Sequence, residues 1–172
     1  MPDTELRYRI ASHADVAALM DLGLAAYGEY AAQLTPDNWQ TMKSNLESKD
    51  KMTALLDVST CFVAESDGRI VGMAFFVPSG NPSHIYPAEW SYIRMVGVYA
   101  NFRGLGIGKK LTQQCIALAT QMGERTIALH TSEIMHAARA TYERLGFTIV
   151  RELPLHLGIR YWVYSLSLQS AQ

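Results

Sequence analysis

The feature that most constrains this sequence is a glycine-rich corner at residues 104–109, between an apolar run and an amphipathic run. The apolar run, residues 90–99, is typical of a strand, and apolar residues recur at helical spacing after the corner until Gly123. Glycines at 104, 106 and 108 permit unusual backbone angles and close approach of a ligand. A helix that begins this way directs free N–H groups and its positive dipole end at the corner, which predicts a phosphate or pyrophosphate site.

Two common phosphate motifs are excluded by the residues at this corner. A P-loop requires a glycine five positions before Gly108 and a Ser or Thr after the lysine, but Arg103 and Lys110 occupy these positions. A dinucleotide-binding fingerprint requires glycine where Lys109 stands and an acidic residue at the end of the next strand, where His130 stands.

The order of periodic patterns predicts an α/β (α+β) fold in one domain over residues 1–172. Hairpin signals in the first half and strand–helix–strand in the second imply a mixed, mostly antiparallel sheet with helices on both faces. Helices are predicted to start near Ser12, Thr35, Gly106 and Glu133, with a solvated turn at 47–51 and one more helical turn at 52–56. Seven strands are predicted, at residues 6–10, 61–65, 70–77, 90–99, 126–130, 147–150 and 161–168.

Composition narrows the class of protein. The chain of 172 residues is 49% hydrophobic and 18% charged, with a net charge of −1, so no global basic field would hold nucleic acid or an anionic membrane. No apolar run is long enough to span a bilayer and no signal-peptide pattern is present, so a cytoplasmic location is expected. Cys61 and Cys115 lie in apolar patterns as reduced core residues, and the histidines have no metal-ligand spacing, so no metal is expected.

Two motifs in this chain resemble those of the GNAT N-acetyltransferase superfamily. Val98 and the run Arg-Gly-Leu-Gly-Ile-Gly over residues 103–108 resemble its acetyl-CoA loop. The run Ala-Arg-Ala-Thr-Tyr-Glu-Arg-Leu-Gly-Phe over residues 138–147 resembles its second motif, a helix with Ala-x-x-x-Tyr-Glu-x-x-Gly-Phe. The order of elements agrees over residues 5–168, nearly the whole chain.

The resemblance implies a cofactor and a place for it. The strands ending near Tyr99 and His130 should splay apart, with the pantetheine arm of acetyl-CoA in the gap and the pyrophosphate on the amides of residues 104–109. The implied cofactor contacts are Val96, Gly97, Val98, Arg103, Gly104, Leu105, Gly106, Ile107, Gly108, Lys109 and Tyr142.

The catalytic residues are less evident than the cofactor loop. Tyr142 matches the family tyrosine that protonates the departing thiolate; the alternative is a buried aromatic residue on an amphipathic helix. The backbone N–H of Val98 is the expected oxyanion donor. For the general base we select Glu89 ahead of His84 and Glu133, with a water relay or an already neutral amine as open alternatives. The chain departs from the family motif at Met135, where an Asn is common.

The implied function is transfer of an acetyl group from acetyl-CoA to a small-molecule or peptide amine by direct attack in a ternary complex. The alternative is an acyl-CoA-binding or regulatory domain of the same fold without turnover. Dimers are common in the superfamily, so a homodimer is a further expectation. The acceptor is not identified by the sequence. Arg94 could bind an anionic group of the acceptor or form an ion pair with Glu89 or Glu133.

Overall fold

The fold is built on a single sheet of seven strands, in a computed structural model that describes residues 5–168. The strands are β1 (Leu6–Ile10), β2 (Thr60–Ser66), β3 (Arg69–Val77), β4 (Ser91–Val98), β5 (Thr126–Ser132), β6 (Thr148–Glu152) and β7 (Tyr161–Ser167). Their order across the sheet is β1-β2-β3-β4-β5-β7-β6. Only the pairing of β4 with β5 is parallel. The first and last four residues of the predicted domain lie outside the described part.

Within the described part of the chain, five α-helices cover the two faces of this sheet. They are α1 (Val16–Gly28), α2 (Pro36–Leu46), α3 (Lys49–Val58), α4 (Ile107–Gln121) and α5 (His136–Arg144). Apolar residues of α1 and α3 pack with Met73 and Phe75 on one face, and those of α4 and α5 pack with Ala74 and Phe76 on the other. The alternation along β3 therefore supplies both halves of the core, because successive side chains of a strand point to opposite faces. The predicted mixed sheet with helices on both faces is confirmed.

Local sequence signals explain most element boundaries. The turn between β2 and β3 places Asp67 and Gly68 at φ of 51° and 74°, as an Asp-Gly hairpin turn requires. Thr35 caps α2 by accepting a hydrogen bond from the N–H of Asn38 at 3.2 Å. Ser12 and Asp15 form the capping box that leads into α1 through a short 3₁₀ turn.

Two predicted helix starts were wrong. Residues 47–51 are not a solvated turn throughout, because Ser48 accepts a hydrogen bond from the N–H of Lys51 and so caps a helix that begins at Lys49. Glu133 does not open the fifth helix, which begins at His136. The reason is tertiary: β5 continues to Ser132 by pairing with Tyr161, and the turn that follows occupies residues 133–135.

Candidate active site

The two central strands separate soon after they begin. β4 and β5 pair only through Ser91 with Ile127 and Tyr92 with Ala128. Within residues 5–168, the rest of β4 has no strand beside it on this side. The splay expected from the resemblance is therefore confirmed, and the edge of β4 after Tyr92 can pair with an extended ligand.

Backbone direction identifies which peptide groups of β4 face the gap. Tyr99, just past β4, donates its N–H to the carbonyl oxygen of Val71 on β3 at 3.0 Å. Because peptide groups alternate sides along a strand, the N–H of Val98 points to the gap and that of Gly97 points to β3. A β-carbon at Gly97 would lie 3.3 Å from the β-carbon of Ala26, so close packing of α1 also requires this glycine. Gly97 therefore serves packing in this structure and does not present its amide to the gap.

A β-bulge lies in β4 directly before the residues that face the gap. Met73 pairs with Gly97 but Phe75 pairs with Arg94, so β4 holds one extra residue there. Met95 has a φ of 53°, which is uncommon for a residue with a side chain. The sequence carries no glycine or proline at this position, so the bulge was not predicted.

The glycine corner forms a cradle of free amides. Gly104 and Gly106 have φ of 80° and 77°, and a β-carbon at either would meet no atom within 4 Å. The first hydrogen bond of α4 runs from the N–H of Lys110 to the carbonyl of Gly106 at 3.0 Å. The N–H groups of residues 107–109 therefore have no acceptor within the described residues, and they are available to an anion at the positive end of the α4 dipole.

Side chains at this corner have different roles from its amides. Ile107 is buried in the core below α4, whereas Leu105 is exposed, so both can offer only backbone to an anion. Arg103 forms an ion pair with Glu29 at 2.5 Å, at the end of α1. Lys109 is exposed beside the cradle.

The side chains of Val96 and Val98 on β4 lie against the first turn of α4. A β-carbon built on Gly108 would be 4.0 Å from the Val96 side chain and 3.9 Å from the Val98 side chain.

Tyr142 has the buried position on an amphipathic helix that one of its two predicted roles requires. It is buried on α5, and its ring packs edge-on against Phe147 with 6.1 Å between centroids. Burial raises its pKa above the ordinary value for a phenol, so the hydroxyl is protonated at neutral pH and able to donate. Among residues 5–168 this hydroxyl has no hydrogen-bond partner, and its role in chemistry stays a prediction.

Two cavities meet on the opposite face of the sheet from α4 and α5. The first, about 410 Å³, lies beneath the loops around residues 83–86 and 153–156. The second, about 650 Å³, lies between β4 and the helices α2 and α3. The residues that line both are Tyr92, Arg94, His130, His156 and Tyr161.

His130 is at the centre of this shared wall. Its Nδ1 lies 2.6 Å from the hydroxyl of Tyr86, whose ring stacks on Tyr92 with 4.3 Å between centroids. Burial first, and then the positive charge of Arg94, lower the pKa of His130 from 6.5 to about 4. The imidazole is therefore neutral at pH 7 and can accept a hydrogen bond or a proton. The sequence placed His130 at the end of a splayed strand, and this position was the signal that could have identified it.

Glu89, the base selected from the sequence, is not brought to the gap. It is exposed in the turn before β4, at the end where β4 and β5 are still paired, and it lines neither cavity. The selection of Glu89 is corrected for a geometric reason: the glycine corner follows the other end of β4. Nor does Arg94 form an ion pair with Glu89 or Glu133 within the described residues; Glu133 instead accepts a hydrogen bond from the N–H of Arg160.

Residues 5–168 contain neither a candidate metal centre nor a membrane-spanning helix. No group of three or more His, Cys, Asp or Glu residues there is arranged to hold a metal ion. No helix of that region has the length and apolar character needed to cross a membrane.

Comparison with known proteins agrees with this geometry. Residues 24–147 match the acetyltransferase (GNAT) family, so the chain belongs to that family, which is one of N-acetyltransferase enzymes. Over 94 residues, 54% of the chain, it is 35% identical to the probable N-acetyltransferase camello of Xenopus tropicalis, covering 41% of that protein. Over 92 residues, again 54% of the chain, it is 39% identical to N-alpha-acetyltransferase 30 of Schizosaccharomyces pombe, covering 59% of that protein. The alignment thus spans about half the length of these relatives.

The fold comparison extends over nearly the whole chain. The PaiA N-acetyltransferase of Thermoplasma acidophilum, solved in complex with coenzyme A, superimposes with a TM-score of 0.77 and 13% identity. The match covers 95% of this chain and 99% of that one, which confirms the predicted fold.

Proposed function

We propose that the protein transfers the acetyl group of acetyl-CoA to a primary amine by direct attack in a ternary complex. The observation that carries the proposal is the gap between β4 and β5, which has an amide cradle on one side and a cavity with a neutral histidine on the other. A thioester in this gap would meet an amine arriving from the cavities.

The residues present fit coenzyme A. The pyrophosphate would accept hydrogen bonds from amides of residues 104–109, where the open space in front of Gly104 and Gly106 would be filled by any β-carbon. The exposed Lys109 adds positive charge beside them, and Arg103 can do so if it leaves Glu29. The pantetheine arm would pair with the free edge of β4 around Val96 and Val98.

Acetyl-CoA supplies the activated acyl group, and the chain supplies donors and an acceptor of protons. The N–H of Val98 is directed to the gap and would stabilise the developing oxyanion. The protonated hydroxyl of Tyr142 would donate to the departing thiolate. His130 would accept the proton that the attacking nitrogen loses. Its pKa of about 4 makes it a weak base, which suits an amine that already arrives neutral.

The charges around the two cavities favour the neutral form of the acceptor amine. Among the described residues, neither cavity is lined by an Asp or Glu, and both contain the guanidinium of Arg94. A nearby positive charge and removal from water both lower the pKa of an ammonium group. The positive charge of the cavities therefore supports the alternative in which the amine is already neutral when it attacks. His130 would then accept the proton that the nitrogen loses after the attack.

The test combines acetyl-CoA binding with turnover. Purified protein is titrated with acetyl-CoA by calorimetry and is then incubated with acetyl-CoA and a broad panel of primary amines, with free CoA measured by a thiol reagent. Cys61 and Cys115 are buried, so the protein itself should contribute little to the thiol signal. We expect binding, amine-dependent release of CoA and intersecting bisubstrate kinetics.

The controls separate this function from its alternative. Reactions without amine measure hydrolysis, and reactions without protein measure direct aminolysis. Binding without amine-dependent release would favour an acyl-CoA-binding domain over an enzyme. Absence of binding would contradict both.

A further inference from the structure

Arg94 is the one side chain of β4 that brings a full charge to both cavities. It lies directly before the bulge at Met95 and on the same face of the sheet as Tyr92, away from α4 and α5. Within residues 5–168 its guanidinium forms no ion pair and no hydrogen bond. The side chain is exposed and lines both cavities. Both ion-pair partners that the sequence suggested, Glu89 and Glu133, lie elsewhere.

The charge balance around Arg94 is one-sided. The other basic side chains of the cavity walls are Lys51 on α3 and the histidines His84, His156 and the neutral His130, and the described lining includes no carboxylate. Lys51 donates to the side chain of Asn45, whereas Arg94 has no such partner. The charge of Arg94 also lowers the pKa of His130 across the gap, so its field reaches both walls. A polyamine or other multiply cationic acceptor would meet repulsion here with no compensating anion.

The second cavity has an apolar wall that would bind the part of the acceptor away from Arg94. Its wall away from Arg94 is formed largely by flexible apolar side chains, including Met42, Leu46, Met52 and Leu55. Methionine adapts to varied apolar shapes, so this wall suits an apolar side chain of variable form. An amine that enters should therefore carry an anion at one end and an apolar group at the other.

We propose that the acceptor is a free amino acid or similar small amine with a carboxylate, which Arg94 binds, and an apolar side chain, which the second cavity holds. This inference rests on the proposed function and specifies its substrate class. The planar guanidinium can bind a carboxylate through two parallel hydrogen bonds, which fixes the orientation of the amine as well as its affinity. Neutralising Arg94 in this way would also remove a charge that opposes proton uptake by His130.

The experiment compares acceptors that differ only in the carboxylate. L-Leucine, L-methionine and L-phenylalanine are each tested against their carboxamides, with spermidine as the multiply cationic acceptor, and kcat/KM is measured from CoA release. A carboxamide has the more acidic ammonium group and so more neutral amine at pH 7.5, which by itself favours the carboxamide. We expect the opposite order: the free acid exceeds its carboxamide by about tenfold or more, mainly through KM.

Variants of Arg94 assign the preference to this side chain. Arg94→Gln should lower kcat/KM for the free acid by about tenfold or more relative to its effect on the carboxamide, so that the preference for the acid is lost, and Arg94→Lys should recover part of that preference. Arg7→Gln, a charge removal on the exposed side of β1, should change neither. Calorimetry with acetyl-CoA confirms that each variant is folded and binds the cosubstrate.

The outcomes distinguish this inference from the function beneath it. Equal rates for acid and carboxamide, a preference for spermidine, or equal losses for both acceptors in Arg94→Gln would overturn the inference and leave acetyl transfer intact. No CoA release with any amine would overturn both.

Discussion

The hydroxyl of Tyr86 lies 2.6 Å from Nδ1 of His130 and links the irregular loop before β4 to the splayed end of β5. Burial raises the pKa of Tyr86, so the phenol stays protonated and can donate to Nδ1 or accept from it, depending on the imidazole tautomer. When Tyr86 accepts, Nε2 of His130 is free to take a proton from a substrate. This pair couples a loop with three prolines to the chemistry that we propose for the gap.

The first prediction concerns this pair. His130→Gln should lower kcat by about 10²-fold or more while acetyl-CoA binding is unchanged, because the proton acceptor is lost. Tyr86→Phe should lower kcat less, since the imidazole remains but loses the partner that orients it. The measurements are kcat by CoA release and Kd by calorimetry. Equal activity of His130→Gln and the wild type would exclude His130 as the proton acceptor.

A second prediction concerns the charge of Arg94. Its positive charge is the second cause, after burial, of the lowered pKa of His130. Arg94→Gln should therefore raise the pKa of His130 from about 4 towards its ordinary value, without reaching it, since burial remains. The measurement is an NMR titration of the His130 ring proton shifts, assigned by comparison with His130→Gln. A pKa that does not move would show that solvent screens the two side chains from each other.

The third prediction is a pH dependence of stability. The folded-state pKa of His130 lies below its unfolded value of 6.5, so the unfolded chain binds more protons between pH 6.5 and about 4. The free energy of unfolding should therefore fall as pH falls through this window, by roughly 3 kcal/mol from this group. Urea denaturation at several pH values should show a flatter profile for His130→Gln. The matched control is His136→Gln, because His136 is exposed and lies outside both cavities; an equally flattened profile there would contradict the assignment.

The fourth prediction tests the amide cradle with two matched glycines. Gly106 and Gly68 have similar φ, 77° and 74°, and a β-carbon at either would meet nothing within 4 Å. Valine at either position should therefore cost about 1–3 kcal/mol of backbone strain, visible as a lowered Tm. Only Gly106→Val should also lose acetyl-CoA binding, because its side chain would stand where the pyrophosphate is proposed to bind. If Gly106→Val still binds acetyl-CoA with wild-type affinity, the cradle is not the pyrophosphate site.

The fifth prediction concerns Tyr142. Its hydroxyl has no hydrogen-bond partner among residues 5–168, so Tyr142→Phe should change the free energy of unfolding little. If the hydroxyl protonates the leaving thiolate, the same change should lower kcat by about 10²-fold and alter its pH profile. Turnover and a pH profile equal to those of the wild type would leave Tyr142 with a packing role alone.

The sequence by itself determined most of the elements, the family and the glycine corner. Periodicity and turn chemistry are local properties, so Asp67-Gly68, Thr35-Pro36 and the apolar run over residues 70–77 predicted their structures from neighbouring residues alone. The glycine corner could be identified from sequence because a left-handed N-cap such as Gly106 requires a specific residue type.

Only the tertiary structure decided which side chains share the two cavities proposed to admit the acceptor. Glu89 and Arg94 are five residues apart, but the structure places one at the paired end of β4 and the other beside the gap. The bulge at Met95 arises from the register with β3, and the partnership of Tyr86 and His130 joins residues 44 positions apart. These relationships depend on how far two strands stay paired and where a long loop returns. Both are set by packing across the whole sheet, which no local pattern of residues encodes.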